Sequence, residues 1–114
     1  MSDTFKLELV TPNSYTVFDN VKSISAESEL GDFTALSNHE RYMIKLKPCI
    51  IDIMINSTMR KKYFINNGVI KIRPAIYCII AEEIKDINDI SDDFIKNYPD
   101  KKIADKIHNM MEKI

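Results

Sequence analysis

Tryptophan is absent from this 114-residue chain, glycine and cysteine occur twice each, and proline four times. Each scarcity excludes something. Neither glycine belongs to a GxGxxG or GxxxxGK[ST] pattern, so neither standard phosphate-cradling loop is present. Cys49 and Cys78 both sit inside apolar runs, where a free thiol behaves as a small buried hydrophobe. With no CxxC and no Cys/His pair at ligand spacing, neither a zinc site nor a disulfide framework is expected. No charge sign is in excess: 16 Lys and Arg face 17 Asp and Glu, for a formal net charge of -1. A sequence-independent nucleic-acid binder needs surplus cations to displace counterions, so nucleic acid is not an expected partner. No apolar run approaches the length that spans a bilayer; the stretch 77–81 is typical. The Met-Ser-Asp-Thr start has neither the basic and apolar regions of a signal peptide nor the arginines of a transit peptide.

What is there is ordinary for a globular domain: 45% hydrophobic and 29% charged residues, enough to bury one core without disulfides or metals. Residues 5–81 read as strands. Phe5, Leu7 and Leu9 alternate with Lys6 and Glu8, the period of two of a half-buried strand. Thr11-Pro12-Asn13-Ser14 reads as a turn, with Pro12 fixing φ. A short strand over 15–18 follows, then a turn at Asp19-Asn20. In the next strand, 21–26, Val21 and Ser23 are expected to face opposite to Lys22 and Ile24. Cys49, Ile51, Ile53 and Ile55 share one face of a further strand, with Asp52 and Asn56 on the other. Asn56-Ser57-Thr58, formally a glycosylation sequon, reads as a polar turn into a strand over 62–65. Asn67-Gly68 then predicts a tight hairpin to a strand over 69–72, because a type I′ turn needs φ > 0 at both central positions. A strand over 76–81 closes the set. Many short strands at regular spacing predict a sandwich or barrel.

The pattern changes near Glu82, where alternation gives way to charge. Ser91 is placed to cap a helical turn over 92–97, with acidic residues at its positive end. Pro99 breaks that turn and Asp100 is placed to cap a second helix. Ile103, Ile107, Met110 and Ile114 recur on one face of it at helical spacing, so the stripe must cover the chain's own sheet or a partner. The expected division is a sandwich domain over 1–85 and a short helical tail over 86–114.

No catalytic constellation is visible. His39 and Cys49 could be cast as a base and a nucleophile, and nothing in the sequence orients one toward the other. His39 and His108 lack ligand partners at metal spacing. Arg60-Lys61-Lys62 is an isolated basic run, the usual composition of a solvated rim. Neither catalytic residues nor a cofactor nor a metal is expected. The unusual segment is Gly31-Asp32-Phe33-Thr34-Ala35-Leu36-Ser37-Asn38-His39. It mixes loop and apolar residues, as a long hairpin does and as a functional loop on a rigid scaffold does.

In this segment the chain resembles the epsilon subunit of F-type ATP synthases, whose mitochondrial counterpart is called delta. That family carries G-E-F-G-I-L-P-G-H followed by K-P-G. Here Gly31 through His39 has the same length, and Lys47-Pro48 falls at the same distance beyond. The opening Phe5-Lys6-Leu7-Glu8-Leu9-Val10-Thr11-Pro12 is similar to the family's F-x-L-x-I-V-T-P. Phe64-Ile65-Asn66-Asn67-Gly68 is similar to F-V-S-G-G, and Ile79-Ile80-Ala81-Glu82 to I-L-A-D. The likeness covers residues 5 to 90 in register. Departures are Thr34 for glycine, Ser37-Asn38 for Pro-Gly, Glu40-Arg41 for Ala-Pro and Cys49 for glycine. The family's two long C-terminal helices are also shortened here.

The resemblance implies a mainly β fold, a two-sheet antiparallel β-sandwich followed by a short, reduced helical tail. It implies a non-catalytic central-stalk subunit, monomeric within its complex, that links the gamma subunit to the ring of c subunits, with the alpha/beta catalytic head as a further neighbour. Gly31, Asp32 and Phe33 are then expected at the c-ring loops and His39 near gamma. Membrane association would be indirect, at the cytoplasmic face of the bacterial inner membrane. The alternatives are a free-standing β-sandwich protein-binding module without a synthase role, and a small thiol enzyme.

Overall fold

The computed structural model of the chain describes residues 4–28, 31–36, 42–56 and 58–113, with the backbone alone described at 28, 31–36 and 42. Eight strands run in chain order as β1 (Phe5–Thr11), β2 (Ser14–Val21), β3 (Ser23–Ser28), β4 (Gly31–Leu36), β5 (Tyr42–Leu46), β6 (Cys49–Met54), β7 (Arg60–Arg73) and β8 (Ile76–Asp86). A 3-10 turn at Ile87–Asp89 leads to helices α1 (Asp92–Lys96) and α2 (Lys101–Glu112). The sandwich with two short C-terminal helices that the sequence implied is thus present. Its hydrogen-bonded ladder is continuous, in the order β2-β1-β8-β7-β5-β3-β4, with β6 joining β3 to β7. Every pairing is antiparallel except β1 with β8, which is parallel.

One ladder becomes two layers because β7, β8 and the path from β5 to β6 crease along the same line. The 14-residue strand β7 pairs with β6 over its first half and with β5 over its second. Ile65 points into the core before the crease, and Ile70 and Ile72 do so after it. An odd position gives way to even ones, so the inward face has flipped. β8 flips opposite, from Tyr77, Ile79 and Ala81 to Ile84, and the β5–β6 path flips from Ile44 and Leu46 to Cys49 and Ile51. At the crease Asn67 adopts φ 53°, a conformation that asparagine tolerates better than most residues. The partner path passes through Lys47-Pro48, and Pro48 leaves no N–H there to pair.

Asn67-Gly68 therefore does not make the hairpin that the sequence suggested. The left-handed residue folds a continuous strand instead of reversing it. The reversal occurs at Pro74-Ala75, between the paired residues Arg73 and Ile76. Pro74 sets the first turn position and Ala75 takes φ 66°, as the second position of a type II turn requires. Asp19-Asn20 is likewise no turn. Phe5 pairs with Val21 and Leu7 with Phe18, so β2 carries one extra residue there. This is a bulge, with Asn20 at φ 59°. Val21 and Ile24 also do not oppose each other. Both are fully buried, because alternation breaks at Lys22, whose N–H donates to Met54 O at 2.8 Å as the chain passes from β2 to β3.

The core between the layers includes Leu7, Val21, Ile24, Ile51, Ile53, Ile65, Ile70, Tyr77 and Ile79, all at zero exposure. Each contributes about 1.5–3 kcal/mol of burial free energy before entropy is counted. Phe5 stacks on Tyr77, ring centroids 4.1 Å apart. A second cluster lies outside the sandwich, where Phe64 and Ile50 meet the tail residues Ile90, Tyr98, Ala104 and Ile107. The tail is capped as its sequence suggests. Ser91 Oγ accepts from Phe94 N at 3.1 Å, and Asp100 Oδ1 accepts from Lys102 N at 2.9 Å and Ile103 N at 3.3 Å.

Candidate functional site

The residues singled out from the sequence are dispersed. Gly31, Asp32 and Phe33 do not lie in a loop. They belong to β4, at one end of the ladder, and pair with Ser28, Glu27 and Ala26 of β3. His39 and Ile114 lie outside the described residues. Ile107 is fully buried against the sheet, with Ile103 and Met110 half-buried beside it. Ala104, which a large-residue pattern passes over, is the other buried position of α2.

The thiols offer no reactive centre. Cys49 and Cys78 are free and buried. Burial, with Glu8 as a second cause, pushes the Cys78 thiol above its usual range, which keeps it protonated at neutral pH. His108 is exposed on α2 and faces Glu112 at 2.9 Å. No group of three or more metal-ligating side chains occurs among the described residues. Arg60 of the basic run meets Asp52 at 2.9 Å.

The surface that stands out is the uncovered outer face of one layer. β-register places Tyr15, Val10, Ile80 and Val69 side by side across β2, β1, β8 and β7. Met43 on β5 lies in the adjoining row, opposite Lys71. Tyr15 is 62% exposed, Met43 63% and Ile80 41%. Val10, Pro12, Met43, Val69 and Ile80 line a shallow groove of ≈ 600 Å³. Contiguous exposed apolar surface of this kind marks an interaction site more often than a solvent face. Its polar edge is ordered: Tyr15 donates to Glu8 Oε2 at 2.5 Å, and that bond raises the Tyr15 hydroxyl above its ordinary pKa. Sequence reading missed this face because Leu9-Val10, Val69-Ile70 and Ile79-Ile80 look like buried runs. Apolar residues at both parities of a strand were the available signal.

The other outer face is covered by the tail. Tyr98 packs edge-on against Phe64 and Phe94, at centroid distances of 6.4 and 5.6 Å. Lys85 Nζ sits 5.3 Å over the Phe94 ring. The Tyr98 hydroxyl accepts from Asn66 Nδ2 at 2.9 Å and donates to Glu83 Oε1 at 2.5 Å. Burial and the bond to Glu83 push its pKa up to about 12. The sheet thus carries one open and one covered outer face, and no cleft among the described residues brings reactive groups together.

Residues 4–87 match the family described as ATP synthase, Delta/Epsilon chain, beta-sandwich domain. The chain belongs to that family. A delta/epsilon chain of this kind is a stalk subunit of F-type ATP synthase and is not itself catalytic. It is 30% identical over 96 residues to the ATP synthase epsilon chain of Agrobacterium fabrum, covering 84% of this chain and 71% of that one. It is 28% identical to the ATP synthase epsilon chain of Rickettsia bellii, over 85% and 92% of the two lengths. The fold of this delta/epsilon chain is shared with a chain of the Euglena gracilis mitochondrial ATP synthase structure, at TM-score 0.73 and 16% identity over 93% of this chain and 73% of that one. It is also shared with a chain in the central-stalk and c-ring structure of the Tetrahymena thermophila mitochondrial ATP synthase. There the TM-score is 0.71 at 14% identity, over 98% and 96% of the two chains. No helix among the described residues of the delta/epsilon chain is long and apolar enough to cross a membrane.

Proposed function

We propose that this delta/epsilon chain links the gamma shaft to the ring of c subunits, carrying torque between them. The observation that supports this most directly is the open apolar face of Tyr15, Val10, Ile80, Val69 and Met43 on a sheet whose other side is a buried apolar core. A subunit that transmits torque needs a broad, desolvated contact with its shaft. The open face meets that demand and is assigned to gamma, with the segment containing His39 on the same partner. The β3–β4 hairpin, which carries Gly31, Asp32 and Phe33, is assigned to the polar loops of the ring. There the Asp32 carboxylate would attract basic loops. The sandwich, residues 1–85, forms both contacts, and the tail, residues 86–114, stays folded on it through Ile103, Ile107 and Met110. The chain is a monomer within the complex and holds no cofactor. The complex is placed at the cytoplasmic face of a bacterial inner membrane.

ATP-driven proton pumping in reconstituted vesicles tests the ring assignment. Asp32→Arg should weaken pumping by reversing the charge offered to the ring while the subunit is still retained in the complex. Normal pumping with normal retention of the subunit would remove Asp32 from the contact.

A further inference from the structure

The crease carries four polar residues in two consecutive pairs, and the pairs serve opposite surfaces. Asn66 and Glu83 are register partners, and both bond to Tyr98 of the tail. Asn67 and Glu82 are the next residues along each strand, and they turn the other way. Asn67 Nδ2 donates to Glu82 Oε2 at 2.8 Å, and both residues line the groove of the open face. Asn67 also carries the positive φ that lets the inward face flip. One short stretch of paired backbone therefore ends in the tail's attachment on one side and in the wall of the apolar groove on the other.

We propose that this crease couples the two surfaces, so that seating of the tail and occupation of the open groove bias the same backbone geometry. The physical argument is local. Two adjacent peptides on each strand hold all four side chains, and a hinge about the crease cannot move Glu82 without moving Glu83. Packed interiors respond to such shifts by switching between discrete arrangements instead of deforming smoothly. Any partner that favours one crease geometry at the groove then favours the tail position that goes with it, and the coupling is reciprocal. The role of this device in an assembled synthase rests on the reading that the groove receives gamma. The coupling itself is a property of the isolated chain and is tested there.

A double-mutant cycle on the full chain combines Glu82→Ala, which removes the groove-side bond, with Tyr98→Phe, which removes the tail-side bonds. The side chains of Glu82 and Tyr98 share no hydrogen bond. Coupling predicts that the unfolding equilibrium constant of the double variant departs from the product of the single effects by about threefold or more. Agreement with that product within error overturns the proposal. Amide hydrogen exchange gives a second reading that does not depend on global unfolding. In Glu82→Ala alone, the α2 amides of Ala104 and Ile107 should exchange several-fold faster while those of Leu7 and Ile79 do not change. Unchanged α2 protection overturns the proposal as well. Neither measurement involves gamma, so its outcome is separate from that of the docking assignment.

Discussion

Gly68 lies so close under Ile65 that a Cβ on the glycine would come within 2.7 Å of Ile65 Cγ2, and within 3.3 Å of Ala81 Cβ. The crease brings β7 back onto its own preceding turn of chain and onto β8, and a side chain would wedge them apart. Gly68→Ala should therefore destabilise the fold by about 1–3 kcal/mol, the usual cost of overpacking. Urea denaturation checks this; an unchanged midpoint would mean the crease opens without penalty.

Ala75 shows the opposite situation. Its φ of 66° is a conformation that costs a non-glycine L-residue roughly 1–2 kcal/mol. Ala75→Gly relieves that strain but enlarges the freedom of the unfolded chain. The net expectation is a gain of about 0.5–1 kcal/mol, seen as a rise of a few degrees in a thermal melt. A fall in melting temperature would show that the turn holds no relievable strain.

These two positions also show how far the sequence could be read. The strand faces of Phe5, Leu7 and Leu9 and of Cys49, Ile51 and Ile53 were legible because in each strand the inward residues alternate with less buried ones. The caps at Ser91 and Asp100 were legible because they satisfy orphan N–H groups within three residues. Asn67-Gly68 misled because a left-handed asparagine serves a hairpin and a folded strand equally well. The choice lies with Lys47-Pro48 and Glu82, far away in sequence. Pro74-Ala75 escaped notice because alanine is not a residue expected at φ > 0. The placement of Gly31, Asp32 and Phe33 in a strand depends on pairing with β3 and not on their own polarity. The open face was hidden for the same reason in reverse: Val10, Val69 and Ile80 look like core until topology shows that no described element covers them.

The Tyr98 hydroxyl predicts a pH dependence at the alkaline end. Its pKa rises from the usual 10.0 to about 12 in the folded chain. Between those values the unfolded chain has lost the proton and the folded chain still holds it, so stability falls as pH rises. The contribution is fully present below pH 10 and lost as pH passes 12. Tyr98→Phe should flatten this part of the stability profile and lower neutral-pH stability by about 1–2 kcal/mol through the lost hydrogen bonds. An identical alkaline slope in the variant would exclude Tyr98 as its source.

The tail should behave as part of the folded body. Ile107, on the sheet-facing side of α2, is at zero exposure, and Ile107→Ala should cost about 2–5 kcal/mol through lost burial and the cavity left behind. Asp100→Ala, which removes the cap, should cost about 1 kcal/mol. Because the tail and sheet share Phe64 and Tyr98, both variants should lower one cooperative melting transition. A separate early transition confined to the helices would contradict this.

The open sheet face, proposed as the contact with gamma, is addressed directly by one measurement. Met43 and Ile80 are exposed, so the double variant Met43→Asp, Ile80→Asp should still fold, with a melting temperature lowered by several degrees for the poorer strand residue at position 80. Its affinity for gamma, measured by titration of the purified subunits, should fall by at least about tenfold, or about 1.4 kcal/mol. Undiminished affinity in a folded variant would contradict the account.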